Sequence, residues 1–179
     1  MPYKLIIELS DADLRQFRRE LNKSRKAVGI ADDAEILSAA TDFIGKMRAS
    51  RLPDFVTLRL RKLEMMLSMV SDSEWTITNR ERSPVLAALA YLCDPEDIIH
   101  DDVPGVGLLD DAVMIELVCR ESRHEIEAYE DFCQFRDALI SKAGSDPGAR
   151  AARLDRRRTQ LLARMRRRKA ADAERGTAS

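Results

Sequence analysis

Between Tyr91 and Asp111 the chain gathers the carboxylates Asp94, Asp97, Asp101, Asp102, Asp110 and Asp111, together with His100. The turn formers Pro95, Pro104, Gly105 and Gly107 are interleaved with them. Carboxylate-rich sets suit hard divalent cations such as Mg²⁺, Ca²⁺ or Mn²⁺. Asp97, His100, Asp101, Asp110 and Asp111 are therefore candidate ligands, and metal-dependent hydrolysis is the activity such a site would give. The same aspartates have an architectural use. Asp94 is placed to cap a helical turn with Pro95 at its first position, and Val103-Pro104-Gly105-Val106 suits a type II turn. Asp110 and Asp111 fall where the next helix exposes free backbone N–H groups. The spacing matches neither an EF-hand nor a zinc pattern, and acids at helix starts have this ordinary explanation.

A second group lies further on. His124, Glu127 and Asp131 follow i, i+3, i+7 spacing, so a helix places them on one face. That face suits a His/carboxylate metal site or a solvated charged surface. Cys93, Cys119 and Cys133 have neither metal nor redox spacing, and small core residues are their expected role. No glycine-rich phosphate loop or nucleophile elbow is present: Gly105-x-Gly107 follows a proline turn, with no third glycine in register.

Charge is distributed unevenly. The 179 residues sum to −1, yet residues 150–179 hold 11 Lys+Arg against 3 Asp+Glu, and residues 1–149 hold 19 against 28. Arg156, Arg157, Arg158, Arg166, Arg167, Arg168 and Lys169 surround a thin apolar seam of Leu154, Leu161, Leu162 and Met165. These cations are candidates for nucleic-acid phosphates, an anionic membrane surface, or the acidic body of this chain or a partner. No interleaved aromatics support base stacking.

The remaining segments must position these groups. Ser10-Asp-Ala-Asp13 is a capping-box-like start to a helix over 11–27, with Leu14, Phe17, Leu21 and Val28 on one stripe. Ile36, Leu37, Ala40, Phe43, Ile44 and Met47 predict a helix over 33–49. Pro53 opens a third, buried through Val56, Leu60, Leu63, Leu67 and Val70, with Met65, Met66 and Met69 filling core. Residues 71–82 read as a loop holding Trp75 as a packed anchor, and Ser83-Pro84 opens an all-apolar helix to 93. One long helix is predicted over 108–142, with Glu116 and Arg120 an i,i+4 pair. Tyr3 to Leu9 reads as a short strand whose partner would be Glu74–Thr78, in the same chain or in a homodimer.

The string Asp94-Pro95-x-Asp97-x-Ile99-x-Asp101-x-x-Pro104-x-x-Gly107-x-x-Asp110-Asp111, preceded by Tyr91, resembles the signature of the YkvA-like family, a bacterial domain of unknown function. His100 stands where that family usually has proline. The resemblance implies no established activity.

A content of 45% hydrophobic and 34% charged residues fits a soluble helical protein, and no apolar run is long enough to cross a membrane. Three cysteines and no export signal predict the cytoplasm. The expectation is an all-α bundle of about five helices with a short N-terminal strand. A domain at 1–143 is followed by a linker at 144–149 and a basic helical tail at 150–179 with a disordered end. The function expected is non-catalytic interaction or scaffolding, with an unidentified protein partner; metal binding and nucleic-acid binding are the alternatives.

Overall fold

The computed structural model describes residues 8–28, 32–49, 54–93, 109–141 and 147–177. The architecture is all-α, with seven helices and no strand among the described residues. They are α1 (Asp11–Val28), α2 (Asp33–Ala49), α3 (Asp54–Ser71), α4 (Asn79–Leu92), α5 (Leu109–Glu121), α6 (Arg123–Ile140) and α7 (Pro147–Thr177).

α4 is the hub. Val85, Leu86, Ala87, Ala88, Leu89, Tyr91 and Leu92 are all buried, so it offers an apolar surface on every side. α1, α2, α3 and α5 pack against it. α3 brings Met66 and Met69 into the same core, where Met114 of α5 meets them, so the methionines are core fillers. α1 enters through the predicted cap: the Asp13 carboxylate accepts from the Ser10 N–H at 2.9 Å and from its hydroxyl at 2.6 Å. Leu14 and Phe17 are half-buried beneath it and Leu21 fully buried.

Four expectations change. α4 begins at Asn79, not at Ser83-Pro84, because Thr78 and Glu81 form a capping box: the Glu81 carboxylate accepts from the Thr78 N–H at 2.8 Å and its hydroxyl at 2.9 Å. Pro84 therefore lies in the second turn, where it lacks the N–H that would meet a first-turn carbonyl. The predicted helix over 108–142 breaks at Ser122, a buried serine with φ −99° and ψ 18°. Backbone bonds run across it, from the Ser122 N–H to the Val118 carbonyl at 2.8 Å and from the Ile126 N–H to the Ser122 carbonyl at 3.0 Å. The break re-aims the buried face, which carries Met114 and Val118 before it and Ala128, Tyr129 and Phe132 after it. Glu74–Thr78, the expected strand partner, is an irregular connection whose Trp75 and Ile77 are buried, while residues 3–7 lie outside the described residues. The expected disordered end at 170–179 is helical as far as Thr177.

The helix count rises from about five to seven through the break at Ser122 and through α7, which packs along α6. Leu154, Leu161, Leu162 and Met165 of α7 are buried in the common core. Each such side chain contributes about 1.5–3 kcal/mol when removed from water. No helix among the described residues is long and apolar enough to cross a membrane.

Candidate functional site at the α6–α7 seam

The aspartate-rich stretch divides at the edge of the described residues. Tyr91 is buried on α4. Asp94, Pro95, Asp97, His100, Asp101, Pro104, Gly105 and Gly107 lie outside the described residues. Asp110 and Asp111 fall in the first turn of α5, and their side chains are outside the described set.

The second predicted face is fully described, and it meets α7. α6 and α7 pair so that positions on α6 descend as those on α7 rise. Asp131 bonds Arg164, Glu127 accepts from Arg168 at 2.7 Å, and His124 Nε2 lies 2.6 Å from the Asp172 carboxylate. The rungs step by three or four residues on α6 and by four on α7, the spacing that keeps side chains on one helix face. Beside this ladder the buried Glu125 carboxylate bonds Lys169, and Arg123 bonds Asp172. The hydrogen bond from His124 leads the causes that hold the Asp172 carboxyl well below its ordinary range, with Arg123 next. His124, Glu127 and Asp131 thus share a face as predicted, but that face binds cationic side chains and a carboxylate of α7. Among the described residues no three His, Cys, Asp or Glu side chains are placed to hold a metal ion.

A second anchor joins α7 to the start of α4. Arg166 reaches both oxygens of Glu81, from Nε at 2.9 Å and from Nη2 at 3.2 Å. Burial pushes the Glu81 carboxyl up, but the Arg166 fork and the two Thr78 donors outweigh it and bring it to about 2. Glu81 therefore caps one helix and clamps another.

The turn between α3 and α4 supplies a third. Asp72 accepts from Arg136 at 2.7 Å and from the Tyr129 hydroxyl at 3.0 Å, and Arg136 also reaches Glu74 at 3.0 Å. Burial raises the Asp72 carboxyl, but the Arg136 bond and its other donors leave it below the ordinary value. Burial first, then bonds to Cys133 and Asp72, raise the Tyr129 hydroxyl, so it stays a donor. Trp75 packs beneath, its ring 5.1 Å from that of Phe132 and 5.8 Å from that of Tyr129. Arg158 adds long contacts from α7 to the Glu74 carbonyl and the Thr76 hydroxyl.

These anchors account for most of the basic residues singled out in the sequence. Arg158, Arg166, Arg168 and Lys169 hold the body, and Arg157 sits over the Phe135 ring at 5.6 Å. Arg156 and Arg167 are exposed. Cys119 is buried beside Met66, and burial pushes its thiol up to about 11, which suppresses the thiolate. Glu81, Glu125, Asp72, Arg136 and Asp172 were not among the predicted site residues. A signal existed for two of them: Thr78-x-x-Glu81 is a capping-box pattern, and Arg168 to Asp172 continues the four-residue rhythm of charge begun at Arg164.

The arrangement performs electrostatic docking: carboxylates ranging from the buried Glu125 and Glu81 to the exposed Glu127 receive donors from a basic amphipathic helix. No curated protein and no solved structure matches the chain. Residues 84–117, which run from the second turn of α4 into α5 and include the whole aspartate-rich stretch, match a family of proteins of unknown function (DUF1232).

Proposed function

We propose that this protein is a non-catalytic interaction module, of the YkvA-like kind, that acts in the cytoplasm. The overlap of its Tyr91–Asp111 signature with the matched segment 84–117 supports the kinship. The observation that carries the functional reading is the ladder between α6 and α7. The polar side chains most able to do chemistry in the described part of the molecule are engaged in holding one helix to the body. We read residues 144–149 as the connection, and α7 as a closing element of the same unit.

Such a helix is rich in trypsin sites but shielded at its C-terminal half. Limited trypsin digestion of the full chain tests this. Cleavage at Arg166 to Lys169 should be slow, and Glu81→Gln should speed it by weakening the Arg166 anchor. Immediate removal of α7 from an intact, folded body would contradict the reading.

A further inference from the structure

Polyanion binding is one candidate role for the cations of α7; the structure adds a second set of exposed cations on α1. α1 carries Arg15, Arg18, Arg19 and Lys23, all exposed. Lys23 pairs with Glu20 at 2.7 Å. Among the described residues, no carboxylate pairs with Arg15, Arg18 or Arg19. The other acids of the helix are Asp11 and Asp13 in its first turn, where Asp13 is engaged by Ser10. Arg25 and Lys26 follow in the same helix.

Geometry sorts these cations onto one side. Phe17 and Leu21 join the core with α4, Arg15, Arg19 and Lys23 follow at i, i+4, i+8 away from that stripe, and Arg18 flanks the stripe next to Arg15. At about 1.5 Å per residue the row from Arg15 to Lys23 extends roughly 12 Å. A row of charges matches a linear polyanion better than a point anion, since duplex DNA presents about one phosphate per 1.7 Å of axis. Among the described residues of α1 the large apolar side chains lie on the side packed against α4, away from these cations. On α7 the exposed Arg153 and Arg156 lie about one turn apart and Arg167 three turns further on, with the intervening Arg164 and Arg166 on carboxylates.

We propose that the outer face of α1, built on Arg15, Arg18, Arg19 and Lys23, binds the phosphate backbone of nucleic acid without regard to base sequence. The net negative charge of the whole body does not prevent this, because charges beyond about 8–10 Å are screened at physiological salt. Guanidinium and ammonium groups act here as charges, so lysine should replace arginine. With about four phosphates neutralised, affinity should fall roughly 100-fold between 50 and 200 mM salt.

The test is fluorescence anisotropy of the full chain with a labelled random-sequence duplex of about 20 base pairs, long enough to span the row of cations. The triple variant Arg15→Gln/Arg18→Gln/Arg19→Gln should weaken binding by about tenfold or more and flatten the salt dependence. The matching Arg→Lys triple should bind as the parent does, and circular dichroism should show all proteins equally helical. An Arg153→Gln/Arg156→Gln/Arg167→Gln control on α7 should leave binding unchanged. Loss in the α7 control but not the α1 variant would overturn the proposal. So would no binding by the parent at low salt, or binding to phosphatidylserine-containing vesicles but not to the duplex.

Discussion

α1 and α7 are both basic amphipathic helices laid on the same core, yet their charges have opposite fates. In α7 the C-terminal half meets Asp131, Glu127, Glu125 and Glu81 across a packed interface. In α1 Arg15, Arg18 and Arg19 are exposed, while Glu20 pairs with Lys23 and Asp13 is held by Ser10. A local count of charge ranks α7 far above α1 as a polyanion site. Available charge narrows that gap, because a cation already held by a buried carboxylate has little attraction left for a phosphate.

The comparison can be broken most sharply at Lys169. Its partner Glu125 is almost wholly buried, so Lys169→Met leaves a carboxylate without its cation and should lower stability by about 3 kcal/mol in urea denaturation. A loss below about 0.5 kcal/mol, the level of an ordinary surface substitution, would show that the pair does not hold α7.

Glu81 gives the next effect. Its carboxyl lies at about 2 in the folded protein against an ordinary 4.5. The folded value is depressed, so the stability it contributes is complete above about pH 4.5 and is lost as pH falls toward 2. The loss amounts to as much as about 3 kcal/mol, less what solvent takes from the half-exposed Arg166. Glu81→Gln should lower stability at neutral pH and flatten the melting-temperature profile across that window. An unchanged acid limb would remove Glu81 as an anchor.

The exposed rung Glu127–Arg168 is smaller. Glu127→Arg and Arg168→Glu should each cost about 0.5–1 kcal/mol, and the double swap should recover most of it. Additive losses would mean the two side chains do not interact. Smallest of all, the α1 arginine triple variant should change stability by less than about 0.5 kcal/mol, since the side chains are exposed and glutamine is a good helix former. A large loss there would place those arginines in the fold rather than on a free face.

Much of the scaffold was legible because it rests on local signals. The Ser10–Asp13 cap, the apolar period of 33–49 and the all-apolar run 85–92 each specify a helix from neighbours in sequence. Where two local signals competed, the stronger was missed: Thr78-x-x-Glu81 starts α4 ahead of the proline signal at Ser83-Pro84. The break at Ser122 was not legible, because the helical period continues through it and only the change of packing partner reveals it. The candidate site was half legible. His124, Glu127 and Asp131 were recognised as one face, but the identity of what they face is a pairing over more than thirty residues of sequence. Their charge pattern alone admitted a metal, solvent or a helix. The aspartate-rich stretch at 94–108, the most distinctive in the sequence, lies outside the described residues.

The central claim is that α7 is a docked part of the folded unit and not a free basic tail. Amide hydrogen exchange on the full chain tests it directly. The account predicts that amides from Leu154 to Lys169 are protected to the same degree as those of Ala128 to Phe132 on α6, because one cooperative core buries both. Exchange along α7 at the rate of an isolated helix, with α6 still protected, would contradict it.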